Sequence, residues 1–166
     1  MLFRSLNGGT LHLDGGGAVA ADERGRVLVV WQAGAAEGPR GELHRAVHVA
    51  SSADDGRTFA AGRVVSPADA GVCACCALET AFDGAGRLSI LYRSATAEGS
   101  RDLAWLRSDE AGRAFQPMVL DAWRVASCPM SSMALVRQDG GRLWAAWETQ
   151  GQVHRSLLEP AAGRAG

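Results

Sequence analysis

Four cysteines are the residues whose types and spacing most directly suggest chemistry. Cys73, Cys75 and Cys76 lie in one short segment, and Cys128 precedes a proline. Thiols form disulfides, hold soft metal ions or react as free nucleophiles. An even number favours disulfides, and a bridge between adjacent cysteines would be strained, so we expect Cys128 to pair with one of the other three. A zinc or copper site and free thiols stay open as alternatives, and we expect no other cofactor.

Three similar segments indicate the elements that would position these cysteines. Each consists of a strand, a tight turn containing glycine, and a second apolar strand that ends in an aromatic residue. The turn glycines Gly25, Gly86 and Gly141 are separated by 61 and 55 residues. This period is typical of four-stranded blades with long loops. The segments are residues 18–31, 79–92 and 134–147.

The repeat predicts an all-β fold of roughly two and a half consecutive antiparallel blades of a β-propeller. Apolar residues show no sustained helical period, and a β-sandwich with coincidental hairpins is the alternative. We expect a piece of a longer chain, because a propeller closes on itself and these blades cannot. Further candidate strands lie at residues 43–51, 62–66, 102–108, 115–125 and 153–158.

The same offsets relate the cysteines to one another. Cys128 lies 55 residues after Cys73, and His12 lies 61 residues before it. All three positions precede the innermost strand of a predicted blade, and neighbouring blades bring such positions together at the mouth of the central channel. We therefore expect Cys128 near the segment of Cys73, with His12 as a further ligand if a metal binds.

Composition excludes several classes of function. The net charge is −1, and all 17 basic residues are arginine in a chain that is also rich in alanine and glycine. The arginines thus reflect composition, and no strong field favours nucleic acid or an anionic membrane. No apolar run approaches the ~20 residues that span a bilayer.

One loop carries a specific turn motif. Ser52, Asp54, Gly56, Thr58 and Phe59 match the pattern Ser-x-Asp-x-Gly-x-Thr-Trp/Phe, known as the Asp-box. An aspartate in such a turn accepts hydrogen bonds from main-chain amides, and glycine adopts a conformation that other residues avoid. We interpret Asp54 as structural rather than catalytic.

A degenerate copy follows in the second blade. It retains Ser108, Gly112 and Phe115, but Glu110 replaces the aspartate and Ala114 the threonine. With these motifs, residues 13–158 resemble the sialidase-like Asp-box (BNR-repeat) propellers, as a partial chain of a parent expected to have six blades. Residues 1–12 would be an N-terminal end that is partly non-native, and residues 159–166 a flexible tail.

The resemblance implies an exo-sialidase-type glycoside hydrolase that acts on terminal sialic acids. That family clamps the sugar carboxylate with three arginines and uses a tyrosine–glutamate pair and an acid/base aspartate. The single tyrosine, Tyr92, occupies the repeat position of a core aromatic residue. The remaining weak catalytic candidates, each with an ion-pair or solvated alternative, are Glu79, Arg93, Arg101 and Asp102.

Two other functions remain open from the sequence. A propeller of this kind can bind glycans or a protein without catalysis, and the cysteines can make a metal or redox site of an envelope protein. The family implies a sialoglycoconjugate as partner, and the family together with the cysteines implies a secreted or periplasmic location.

Overall fold

The computed structural model describes residues 5–13, 16–35, 37–110 and 112–159. The expectations for residues 1–4 and 160–166 fall outside these ranges. Within them the chain forms twelve strands and a short 3-10 helix, Glu42–His44. The strands are β1 Gly17–Ala21, β2 Val27–Gly34, β3 Arg45–Ser52, β4 Arg63–Val64, β5 Gly71–Val72, β6 Glu79–Phe82, β7 Leu88–Ala95, β8 Leu103–Ser108, β9 Phe115–Asp121, β10 Met133–Arg137, β11 Leu143–Thr149 and β12 Gln152–Leu157.

The strands make three antiparallel sheets that follow one another along the chain. Blade one has the order β1-β2-β3-β4, blade two has β6-β7-β8-β9, and blade three has β10-β11-β12. The two-residue strand β5, which the sequence does not predict, pairs with the far end of β7. The all-β fold and its two and a half propeller blades are thus confirmed.

The first hairpin turn of each blade is built locally. The carboxylate of Asp22 accepts hydrogen bonds from two main-chain N–H groups of its own turn, both at 3.0 Å. Asp83 does the same in blade two at 2.9 Å. Gly25 and Gly86 then take φ values of 75° and 77°, a left-handed conformation that favours glycine. The repeated turn chemistry therefore follows directly from the sequence.

Two apolar cores lie between successive blades. The core between blades one and two includes Val30, Val47 and Ile90, all fully buried. The core between blades two and three is centred on Trp105 and Trp147. Blade two therefore packs both faces of its sheet against neighbouring blades, and the blades are held together mainly by apolar contact between their faces.

Neighbouring blades also meet through their hairpin turns. The Gly84 N–H donates to the Gly141 carbonyl at 2.8 Å, which joins blade two to blade three by main chain alone. Between blades one and two, a side chain makes the corresponding contact: the guanidinium group of Arg26 donates to the Gly86 carbonyl at 2.8 Å.

Each blade has two ends, which we name for the residues found there. The turn end carries the hairpin turns and the loops 52–59 and 108–115; the Asp55 N–H, for example, donates to the Gly25 carbonyl at 3.0 Å. The cysteine end carries the 3-10 helix, the loop 73–76 and the segment 123–131.

Candidate functional site at the cysteine end

Sulfur atoms from two blades meet at the cysteine end. Cys75, which is exposed, forms a disulfide with Cys128 of the next blade. The Sγ atoms of Cys73 and Cys128 are 3.2 Å apart, and those of Cys73 and Cys76 are 3.4 Å apart. Cys73 and Cys76 are buried free thiols. The expected disulfide is therefore present, and two further thiols lie against it.

Blade one holds the cysteine loop of blade two in place. Gln32, at the end of β2, donates from Nε2 to the carbonyls of Ala74 at 2.9 Å and Cys76 at 3.1 Å. Glu42 of the 3-10 helix accepts a hydrogen bond from the Ala74 N–H at 2.9 Å. Hydrogen bonds from blade one thus hold two carbonyl groups and one N–H group of this loop.

The two free thiols differ in character. A hydrogen bond from Cys73, assisted by Ser131 and by the positive charge of Arg93, lowers the pKa of Cys76 to about 6. The pKa of Cys73 is raised, first because its proton is held in that hydrogen bond and then by burial. The same contact therefore shifts the two pKa values in opposite directions, and Cys76 is the more acidic thiol of the pair.

The side chain of Arg93 is buried and makes its hydrogen bonds within the protein. It is 1% exposed and its guanidinium lies 5.2 Å from the centre of the Trp123 ring. Its hydrogen-bond acceptors are Ser131 Oγ at 2.9 Å, the Arg101 carbonyl at 3.0 Å, Thr149 Oγ1 at 2.7 Å and the Glu148 carbonyl. This side chain joins blades two and three and has no donor directed to solvent, so it does not fit a carboxylate clamp.

Arg101 and Asp102 also contribute to structure. Arg101 is 8% exposed and forms an ion pair with Glu42 Oε2 at 2.8 Å. The Asp102 carboxylate accepts the Trp123 N–H at 2.9 Å. Both contacts secure connections at the cysteine end.

Glu79 is the candidate with a free carboxylate. It begins the innermost strand β6, pairs with Leu91 of β7 and lies on the face that borders blade three. Within the described ranges its side chain makes no hydrogen bond or ion pair, and partial burial raises its pKa. Glu79 is thus the candidate side chain best able to meet a ligand.

Tyr92 and His12 are the remaining residues that the sequence singles out. Tyr92 belongs to the core between blades one and two, and burial raises its pKa to about 12. His12 lies beside Gly34 at the end of β2, and its role as a further metal ligand stays a prediction. Among the described residues, the group that could hold a metal ion consists of Cys73, Cys75 and Cys128.

The Asp-box lies at the opposite, turn end of blade one. Asp54 accepts hydrogen bonds from the Thr58 N–H at 2.9 Å, the Thr58 hydroxyl at 2.7 Å and the Ser52 hydroxyl at 2.7 Å. These bonds, that of the Thr58 amide foremost, lower the pKa of Asp54 to about 2. Ser52 Oγ also accepts the Gly56 N–H at 2.9 Å, so these hydrogen bonds all join residues within the motif. Phe59 packs with the outer core of blade one.

The degenerate copy in blade two uses a different carboxylate. Asp109, rather than Glu110, accepts the main-chain N–H of Arg113 at 2.7 Å and closes the turn. Glu110 instead reaches Arg87 at 2.9 Å. Ser108 accepts the Leu88 N–H at 2.7 Å. The retained serine thus ties the turn to the sheet, and the aspartate function has moved by one residue.

Sequence reasoning missed three residues of the cysteine end. Gln32, Glu42 and Ser131 belong to no motif, and each acts on a partner at least 32 positions away along the chain. The one available signal was proximity to a singled-out residue, since Ser131 follows Cys128 by three positions.

Comparisons with known proteins agree with this architecture at the level of the fold. No family model and no curated protein matches the sequence. Solved structures do match it. A Dyadobacter fermentans protein of unknown function aligns with a TM-score of 0.59 and 17% sequence identity, and the alignment covers 86% of this chain and 36% of that protein's chain. The Hadza microbial sialidase Hz136 aligns with TM-score 0.58, 14% identity, 85% of this chain and 30% of its own.

The fold is therefore that of a sialidase-type β-propeller. This chain spans about a third of the length of those two structures. Within the described residues, no helix is both long and apolar enough to span a membrane.

Proposed function

We propose that the chain is part of a sialidase-like propeller that binds glycans without cleaving them. The environment of Arg93 carries this proposal. A carboxylate clamp requires guanidinium donors that face the ligand, whereas those of Arg93 end on four acceptors within blades two and three. Tyr92, the family's nucleophile type, lies 2% exposed in a core.

The groups that would meet a glycan lie along the innermost strands. Glu79 has a free carboxylate at the start of β6, and carboxylates commonly accept sugar hydroxyls. The innermost strands β1 and β10 expose Val19 and Val136, which are 64% and 60% accessible. Partly apolar, partly polar linings of this kind are typical of ligand sites.

The proposal is tested by ligand binding to the purified chain. Saturation-transfer NMR with sialyllactose and with lactose would report binding, and a fluorogenic sialoside would report cleavage. We expect a glycan signal that falls in Glu79→Gln and is unchanged in Glu110→Gln, a matched substitution at the turn end. Absence of a signal with both sugars would overturn glycan binding.

An exo-sialidase-type hydrolase is the second candidate. The raised pKa of Glu79 favours it, since general acids of glycoside hydrolases are carboxyl groups whose pKa is raised by their surroundings. The arginine clamp would then come from chain beyond these blades. Sialic acid release by this chain that disappears in Glu79→Gln would replace the binding proposal with this one.

Export is part of the same proposal. A disulfide between two blades persists in an oxidising compartment, which is where sialoglycoconjugates are encountered. We therefore infer a secreted or periplasmic location with glycan as the partner.

A further inference from the structure

We propose that the four cysteines form a binding site for one soft d10 metal ion, zinc or copper(I), when the Cys75–Cys128 disulfide is reduced. This site is separate from the proposed glycan site and does not depend on it. Thiolate sulfur is the ligand type that selects these two ions among the common biological metals.

Five of the six pairs of sulfur atoms lie within 4.8 Å of each other, and the exposed Cys75 would move towards Cys76 to complete the set. Four sulfurs bound about 2.3 Å from a tetrahedral zinc ion lie about 3.8 Å from one another. Cys73 Sγ lies 3.2 Å from Cys128 Sγ and 3.4 Å from Cys76 Sγ, and Cys76 Sγ lies 3.9 Å from Cys128 Sγ. The Sγ atoms of Cys73, Cys75 and Cys128 lie within 4.8 Å of one another. Small movements would bring these sulfurs to metal-binding distances.

The surroundings supply the outer contacts that metal thiolates need. Ser131 Oγ lies 3.7 Å from Cys76 Sγ and can donate to it, and the Met130 N–H donates to Cys128 Sγ at 3.4 Å. Gln32 fixes the carbonyl of Cys76 from blade one. Such contacts orient the ligands and tune the affinity of a metal site.

A buried positive charge compensates the excess negative charge. Four thiolates with one zinc ion carry a net charge of about −2, which is costly to bury without a counter-charge. Arg93 is buried next to the cluster and donates to Ser131 at 2.9 Å, the residue in contact with Cys76.

Opening the site requires a reductant. A dithiol reductant of the thioredoxin class transfers two electrons, breaks the Cys75–Cys128 bond and is itself converted to a disulfide, leaving four thiols. Metal binding then releases the thiol protons to solvent. The disulfide state and the metal state exclude one another, because Cys75 and Cys128 cannot serve in both.

The test measures metal binding to the full chain after reduction and anaerobic removal of the dithiol. Zinc affinity would be measured against a chromophoric chelator, and copper(I) affinity against bathocuproine disulfonate. We expect one ion per reduced chain and none for the oxidised chain. Adding oxidant to the loaded protein should release that ion as the thiol count falls to the two free cysteines.

Variants separate a metal site from a disulfide alone. Cys73→Ser removes a free thiol and leaves the disulfide pair intact, yet we expect it to weaken metal binding more than about a hundredfold. Ser131→Ala should weaken it about tenfold, and Ser132→Ala, the exposed neighbour, should not change it. Exposed Cys75→Ser provides a second ligand variant that leaves the buried packing in place.

Two results would overturn the proposal. One is a reduced wild-type chain that binds neither zinc nor copper(I) with one-to-one stoichiometry. The other is a folded Cys73→Ser or Cys75→Ser chain, checked by circular dichroism, that retains the wild-type metal affinity. Either result would leave glycan binding by Glu79 unaffected.

Discussion

The turn end and the cysteine end of the blades are stabilised in opposite ways. At the turn end, carboxylates accept hydrogen bonds within their own turns, as Asp22 and Asp54 do from residues no more than four positions away. At the cysteine end, side chains join distant segments: Arg93 reaches Thr149 and Glu42 reaches Arg101, 56 and 59 positions apart. Carboxylates at the turn end therefore shape individual turns, whereas side chains at the cysteine end join segments that are distant along the chain.

The two ends also differ in how well their contacts tolerate a change of sequence from one blade to the next. The turn motif tolerates change, because Asp109 closes the blade-two turn where Glu110 cannot. At the cysteine end, the repeat positions that correspond to Arg93 hold Gln32 in blade one and Glu148 in blade three. Substitutions of the same type should consequently have larger effects at the cysteine end.

The largest effect is expected for Arg93→Ala. It leaves the hydroxyls of Ser131 and Thr149 and two buried carbonyls without their donor. We expect a loss of about 4 kcal/mol in the free energy of unfolding, measured by urea denaturation. Arg93→Lys keeps the charge but not the planar group and should recover only part of it. A loss below about 1 kcal/mol would show that blades two and three do not depend on this side chain.

A matched pair of glutamates gives the most direct comparison of the two ends. Glu42 and Glu110 each contact an arginine, at 2.8 and 2.9 Å, but their side chains are 26% and 66% exposed. We expect Glu42→Gln to lower the free energy of unfolding by about 2 kcal/mol and Glu110→Gln by less than about 0.5 kcal/mol. Equal losses in thermal denaturation would contradict the distinction between the ends.

The smallest effect should come from Asp54→Asn, and it should depend on pH. Because the folded-state pKa of Asp54 is about 2, below the unfolded value of about 4, its stabilisation is present above pH 4. It is lost as the pH falls towards 2. The variant should thus be less stable than wild type at pH 7, and the difference should vanish near pH 2.

Asp55→Asn is the control for that experiment, since Asp55 is the adjacent carboxylate and its contact is a 4.0 Å ion pair on the surface. Denaturation midpoints of the two variants across the acid range would be compared. A difference between Asp54→Asn and wild type that persists below pH 2 would contradict the role of the Asp54 charge.

The contrast between the ends explains which features could be predicted from the sequence. Hairpins and the Asp-box depend on contacts within five residues, so their residue types and spacing carry the information. The repeat offset related Cys73 to Cys128, whose sulfurs lie 3.2 Å apart. The contacts of Arg93 depend on how two blades pack, and no local pattern encodes that packing.

Smaller differences have the same cause. Strand β5 has two residues and depends on β7 for its pairing, so no alternation could reveal it. The predicted strand 115–125 ends at Asp121, whose carboxylate accepts the Trp147 indole N–H of blade three at 2.7 Å. In both cases a tertiary partner determines where regular pairing begins or stops.

The main-chain contact between Gly84 and Gly141 has a consequence for the angle between blades two and three. A Cβ on Gly141 would lie 2.3 Å from Gly84 Cα, and a Cβ on Gly84 would lie 2.8 Å from Gly141 Cα. The angle between the sheets of blades two and three is therefore fixed where two backbones lie too close together to admit a side chain. A methyl group at either position would force the two backbones apart, change that angle and loosen the apolar core around Trp105 and Trp147.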